Sequence, residues 1–333
     1  MSCAGGARRR LLGLIFGLSL LPLPAFAQLQ NKVRRIGILS GGVRPASIES
    51  SRQGVFLQGM RELGYVEGRD FVVEWRFAEG KYDRFADFVQ EFVRMKVDVI
   101  VAFNTRGAVE AQRATKTIPI VFASISDPLG SGLVSDLAHP GGNITGASAG
   151  LDETTLKHLD LMRQTVRLLS RLAVLINPDS PLGERMLSRL QSSAQRLGIT
   201  VLPVTARTPE ELAEGFAAMK SDRVQAVLVF DDSFFVSQRK QLAALAIQFQ
   251  LPAIAGNRDY ADAGLLFSYG EPIAEQFKRG AVYVDKIFRG AKPGDLPVEQ
   301  PTRFYLAINR KTADTLGVVV PPDVFVRADE IIQ

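Results

Sequence analysis

Cysteine is nearly absent from this 333-residue chain, with Cys3 alone, and histidine occurs only at His139 and His158. A disulfide framework and a thiolate nucleophile in the body of the chain are therefore excluded. A metal site needs several His, Asp, Glu or Cys ligands converging. His139 stands before a proline and His158 flanks the apolar positions Leu156, Leu159, Met162 and Val166; both read as solvated side chains, and no metal is expected. No G-x-G-x-x-G follows an apolar run and no G-x-x-x-x-G-K-[ST] occurs, so no phosphate cradle and no cofactor are implied.

Long apolar runs are equally scarce. The stretch Leu11 to Leu21 is shorter than the roughly 20 residues that span a bilayer. It follows Arg8, Arg9 and Arg10 and precedes Pro24-Ala25-Phe26-Ala27, the order of a secretory signal peptide. We expect residues 1–27 to be cleaved near Ala27 and the remainder to be exported to the periplasm; a retained anchor is the alternative. Cys3 precedes the run, so a lipid-attached mature N-terminus is not expected. Removing residues 1–27 takes three arginines and no acid from 40 Lys+Arg and 35 Asp+Glu, leaving a net charge of +2. The basic residues form no clustered stripe, so a nucleic-acid partner is not expected.

What is present is alternation. Short β-branched runs alternate with amphipathic stretches, the pattern of parallel sheets covered by helices. Strands are predicted near 33–40, 71–77, 99–103 and 118–123, with helices near 47–63, 82–95 and 105–115. The second half repeats the plan, with strands near 171–177, 200–204, 226–230 and 251–255. Individual segments echo: "RRIGILSGG" at 34–42 and "SRLAVLINP" at 170–178, "ELGYVEG" at 62–68 and "RLGITVL" at 196–202. "VDVIVAFNT" at 97–105 matches "VQAVLVFDD" at 224–232, and "TIPIVFASISDPLGSG" at 117–132 matches "QLPAIAGNRDYADAG" at 250–264. Four matches in one order mark an internal duplication.

The fold class is therefore α/β, with two Rossmann-like parallel-sheet lobes. One lobe is expected over 31–145 plus about 269–300, the other over 146–268 plus about 301–333. A strand "LLFSYG" at 265–270, a helix over 273–288 and the strand-helix piece at 304–317 have no partner in the duplication and are expected to form a multi-crossing hinge. A single eight-stranded sheet is the alternative.

Catalytic patterns fare poorly. "GASAG" at 146–150 matches the G-x-S-x-G nucleophile elbow, but no histidine beyond His158 follows it. It reads as a small-residue connection between lobes. Asp231 and Asp232 resemble a carboxylate pair, yet neighbouring strand residues point to opposite faces, so at most one is expected in a given pocket. "NIT" at 143–145 fits the glycosylation pattern weakly.

Ligands of parallel sheets bind beyond the carboxyl ends of strands, and this chain puts its polar residues there in both halves. In the first half these are Ser40-Gly41, then Asn104-Thr105 with Thr105 able to cap the next helix, then Ser124, Ser126 and Asp127. In the second they are Asn177, Asp231 and Asn257, with Tyr269 after the crossing strand. Hydroxyls and amides at a helix start suit a carboxylate, Asp127 or Asp231 an ammonium, and Phe103, Phe230, Phe234 and Tyr269 an apolar or aromatic group. "SISDPLGSG" and its counterpart "AGNRDYADAG" read as two facing lips of one cleft.

The segments "ELGYVEGRDFVVEWRFAEGKYDR" at 62–84, "DVIVAFNT" at 98–105, "TIPIVFASISDPLGSGLVSDLAHPGGNITG" at 117–146, "LLFSYG" and "RADEII" at 327–332 resemble the tryptophan/tyrosine-type substrate-binding proteins of ABC transporters. The resemblance implies the type I periplasmic-binding-protein architecture, hinge closure on a small polar, carboxylated or aromatic amino-acid-like solute, and delivery to a permease driven by a cytoplasmic ATPase. A monomer is expected and, with no catalytic constellation in the sequence, no enzyme. The resemblance places cleft contacts near Ser40, Asn104, Thr105, Ser126 and Asp127, with Asn177, Asp231, Asn257 and Tyr269 opposite. In this chain Arg106 stands where a small residue or proline is usual, which favours an acidic ligand. An exported enzyme or a sensory, ligand-presenting protein using the same cleft is the alternative.

Overall fold

The computed structural model describes residues 32–180 and 183–333. The expected signal peptide, with Cys3, lies outside them. The first sheet holds β1 (Arg34–Ser40), β2 (Phe71–Phe77), β3 (Val99–Ala102), β4 (Ile120–Ile125) and β5 (Ile144–Ser148), all parallel in the order β2-β1-β3-β4-β5. Between them run α1 (Gly54–Glu62), α2 (Arg84–Met95) and α3 (Thr105–Ala114).

The second lobe begins with α4 (Leu151–Thr165), β6 (Arg171–Ile176), α5 (Gly183–Gln195), β7 (Thr200–Thr205), α6 (Pro209–Ser221) and β8 (Ala226–Val229). It continues with α7 (Ser233–Ser237), α8 (Arg239–Gln248), β9 (Ala253–Ala255), α9 (Arg258–Ala263) and β10 (Phe267–Gly270). After α10 (Ile273–Phe288) come β11 (Tyr305–Asn309), α11 (Arg310–Leu316), α12 (Pro322–Val326) and β12 (Glu330–Ile332). The seven strands run β12-β11-β10-β9-β8-β6-β7, parallel except where β10 meets β11.

There are thus two sheets, not one of eight strands, and β7-β6-β8-β9-β10 repeats the order β2-β1-β3-β4-β5. The duplication covers five strands rather than four. β10, read from sequence as unmatched, is the counterpart of β5, and β5 holds most of the segment read as a connection. The chain leaves the first sheet only after Ser148, three residues beyond the expected boundary. It crosses again between β10 and α10, and a third time after Glu299, which bridges Ala147.

Both faces of each sheet are covered, because parallel strands need helices on either side. On α2, Phe85, Phe88, Val89 and Phe92 recur at helical spacing and all are buried, while its other face carries Asp87, Glu91 and Arg94. Each fully buried phenylalanine contributes about 1.5–3 kcal/mol. On the opposite face of that sheet α1 and the returning α10 pack together through Phe56, Leu57 and Met60 against Phe277, Ala281 and Val284. No helix of the described residues is long and apolar enough to cross a membrane.

The elbow motif is a packing device. Gly146 pairs with Phe122 at φ +153, and a Cβ there would lie 1.9 Å from the Phe122 carbonyl oxygen. Ser148 is buried and its Oγ accepts from the Gly150 amide at 3.2 Å. Gly146→Ala is expected to destabilise the fold by about 2–4 kcal/mol, from backbone strain and overpacking, read as a lower urea midpoint. Asn143 is equally committed: its Nδ2 donates to the carbonyls of Ile118 at 2.7 Å and Thr115 at 3.2 Å, which leaves no free amide for glycosylation.

Candidate functional site

A cavity of about 110 Å³ lies between the carboxyl ends of the two sheets. From the first lobe it is lined by Ser40, Asn104, Thr105, Arg106 and Ser126, from the second by Asp231 and Asn257. Those seven sequence candidates are brought together.

On the first-lobe wall, Ser40 ends β1 and takes a long hydrogen bond of 3.5 Å from Gln53 Nε2. Asn104, rather than Thr105, caps α3: its Oδ1 accepts from the Gly107 amide at 2.7 Å. An asparagine in extended backbone before a helix is a favoured N-cap. Its Nδ2 is buried and has no partner among the described residues; the same holds for Arg106 Nε. The Arg106 guanidinium tip pairs with Glu110 at 3.1 Å, so its charge is partly spent on its own helix. Ser124 lies at φ +66, where the β4–β5 register slips between Ala123 and Ile125. A serine in the left-handed region is strained, and such strain gathers at binding sites. Arg52, before α1, completes this wall; its Nη1 stands 3.8 Å from Asp259 of the second lobe.

The second-lobe wall corrects the reading of its aspartates. β8 stops at Val229, so Asp231 and Asp232 are not strand residues and both line the cavity. Asp232 caps α7: its Oδ1 accepts from the Phe234 amide at 2.8 Å, from Asn177 Nδ2 at 2.9 Å and from the Tyr82 hydroxyl at 2.9 Å. Burial pushes its pKa up. Asp231 is far less engaged. Asn257 Nδ2 approaches its Oδ1 at 3.4 Å, and Gly256 leaves room for it, since a Cβ there would lie 1.8 Å from Asp231 Oδ2. Burial first, then the neighbouring Asp232 charge, lifts Asp231 to about 7, against the pull of Asn257, the Gly256 backbone amide and Arg52.

The crossing segment closes the remaining side. Glu271 is paired with Arg279, Nη2 to Oε2 at 2.7 Å. Gln276 Nε2 donates to the Glu271 carbonyl at 3.3 Å, which leaves its buried Oε1 unpartnered. Phe103 and Phe277 stack at 4.0 Å and 18° to form the apolar wall.

Four candidates do not line this cavity. Gly41 is wedged between Asn104 and Ser233. Asn177 is buried behind Asp232. Asp127 turns the other way: its Oδ1 accepts from the Gly130 amide at 2.7 Å and its Oδ2 meets Arg185 of the second lobe at 3.2 Å. It borders a neighbouring cavity of about 290 Å³ that shares Ser126 and is walled by Leu129, Pro301 and Phe304. Tyr269 faces the hinge, edge-on to His158 at 6.1 Å and tilted against Phe304. Phe230 and Phe234 belong to the second-lobe core. His158 is buried, not solvated: Nε2 lies 2.6 Å from the Tyr269 carbonyl, and burial lowers its pKa to about 4. His139 is exposed.

Sequence reasoning missed Arg52, Gln53, Tyr82, Glu271, Gln276 and Phe277, whereas Ser124, read as a polar strand end, does line the cavity. Arg52, Gln53 and Tyr82 lie in the approach to a helix rather than at a strand end. Glu271, directly after "FSYG", had a visible signal: an acid at the crossing, with Arg279 in the next helix.

The family model of ABC transporter substrate binding proteins matches residues 38–332. The chain belongs to that family. It is 25% identical over 291 residues to a tyrosine-binding protein of Clostridioides difficile (strain R20291), covering 86% of this chain and 82% of that one. It resembles the crystal structure of a conserved domain protein from Vibrio cholerae at 27% identity and a TM-score of 0.82, covering 90% of this chain and all of the other. An ABC domain from Streptococcus pneumonia in complex with L-Trp superposes with a TM-score of 0.81 at 24% identity and the same coverage. The substrate-binding assignment, the periplasmic-binding fold and its two lobes are thereby established. Among the described residues no group of three or more His, Cys, Asp or Glu is placed to hold a metal.

Proposed function

We propose that this protein is the exported, periplasmic capture component of an ABC importer, that it closes on a small zwitterionic solute of the amino-acid class, and that it hands this solute to a membrane permease coupled to a cytoplasmic ATPase. One observation carries the reading: the cavity's charges are divided between the lobes. Arg52, Arg106 and the first turn of α3 stand on one wall, and the under-engaged Asp231 on the other. A carboxylate suits the first wall, where Asn104 Nδ2 and Arg106 Nε wait as buried, unpartnered donors. An ammonium suits the second. Because each group meets its partner only when both walls close, binding favours closure. The relatives named for tyrosine and tryptophan support the same class.

Arg106 is turned toward Glu110, so its expected preference for a more acidic ligand is tempered. Thermal-shift titration of protein refolded from denaturant tests the reading with L-tyrosine, L-tryptophan, L-phenylalanine, tryptamine, 3-phenylpropionate and succinate. The amino acids are expected to stabilise, by about 2.7 kcal/mol at a hundredfold excess over Kd. Tryptamine and 3-phenylpropionate, each lacking one charge, are expected to fail. Stabilisation by succinate alone, or by none of the six, overturns the zwitterion assignment.

A further inference from the structure

We propose that Tyr82 and Asp232 form a clasp between the lobes that favours closure without any solute, leaving Asp231 as the aspartate that meets the ligand. Tyr82 opens the approach to α2 in the first lobe, and Asp232 caps α7 in the second. Their hydrogen bond, 2.9 Å long, joins residues 150 positions apart across the cleft. Tyr82 is 5% exposed and its ring packs on Phe85 at 5.8 Å, so the hydroxyl is presented from a fixed platform. Asp232 Oδ1 is fully subscribed by Tyr82, Asn177 and the α7 cap, so that oxygen has little capacity for a ligand.

Among the described residues two further ion pairs cross the cleft, Asp127 with Arg185 and Arg52 with Asp259. The side chains of Arg185 and Asp259 are 50% and 41% exposed, so solvent screens both pairs. The hydroxyl–carboxylate bond is better shielded, since its donor Tyr82 is buried, and a charge-assisted bond is stronger than a neutral one. Opening the cleft breaks it.

Pulsed electron–electron spin resonance on the full chain tests this without relying on the identity of the solute. Cys3→Ser removes the single native cysteine, and labels go on the exposed Gln90→Cys of α2 and Lys240→Cys of α8. With no solute added, the parent is expected to show a short, narrow distance distribution. Tyr82→Phe, which keeps the ring on Phe85 and an unchanged circular-dichroism spectrum, is expected to shift most molecules to longer distances. Asp127→Asn, breaking a screened pair, is expected to move few. A parent already at long distances, an unchanged distribution in Tyr82→Phe, or an equal shift in Asp127→Asn overturns the clasp. Loss of solute binding in the six-compound panel leaves this readout untouched, so the two proposals fail separately.

Discussion

Asp231→Asn is expected to bind amino-acid probes roughly 30- to several-thousand-fold more weakly, the cost of about 2–5 kcal/mol for removing one side of an enclosed charge pair. At the same time the variant without ligand is expected to unfold at a higher temperature near pH 8. The two effects share one cause. Enclosure holds Asp231 at about 7, above the usual carboxylate range, so the folded chain carries a carboxylate it would rather keep protonated. Its folded pKa is raised, so its stability contribution is full below the unfolded value and is lost as pH rises from about 4 to about 7. The loss is at most about 4 kcal/mol, less what the remaining solvent access of the side chain returns. Asparagine removes the penalty and with it the partner for an ammonium. Isothermal titration from pH 5 to 8 adds a second signature: parent affinity for an ammonium-bearing solute is expected to rise up to tenfold per pH unit below about 7 and then level off. A flat profile, with binding intact in the variant, refutes the role given to Asp231.

His158 is expected to weaken the folded chain as pH falls. Its folded pKa, about 4, lies below the value near 6.5 of an unfolded histidine. Between those values the unfolded chain takes up a proton that the folded chain refuses, so stability is complete above about pH 6.5 and falls as pH drops toward 4. At about 1.4 kcal/mol per pH unit the loss reaches about 3 kcal/mol. Asp231 works in the opposite sense over nearly the same window, so these two contributions largely cancel in the parent. His158→Gln, which retains an N–H for the Tyr269 carbonyl, is expected to raise the melting temperature at pH 4.5 relative to pH 7, compared with the parent. Asp231→Asn is expected to lower it in the same comparison. Parallel pH profiles for all three proteins refute the assignment.

The lobes were readable because strand runs such as "VIVA" and "AVLV" are apolar throughout, as buried parallel strands must be, and because the second copy repeats the first. The fifth strands were not. "ITGAS" carries two small residues and a glycine at φ +153, so its strand character comes from the close approach to β4 rather than from β-branched side chains. The polar strand ends predicted six of these cavity residues, and the departure from the family pattern the seventh, Arg106, because side chains at the carboxyl ends of parallel strands face the cleft. Asp127 and Tyr269 escaped that logic: their local turns aim them at Arg185 and at the hinge. Asp232 was misjudged by extending the alternation of a strand three residues past its end. No local pattern announces Arg52 or Tyr82, whose places depend on how the lobes close.

The return of α10 to the first lobe has a consequence for how the polypeptide matures. One face of the first sheet is only partly covered, by α1, until Phe277, Ala281 and Val284 arrive, by which time the five duplicated strands of the second lobe have all been synthesised. A fragment ending near residue 148 would therefore expose Ile36, Ile38, Val99 and Val121 on that face, apart from what α1 shields. The first half therefore lacks part of its own core until the chain has been made through α10.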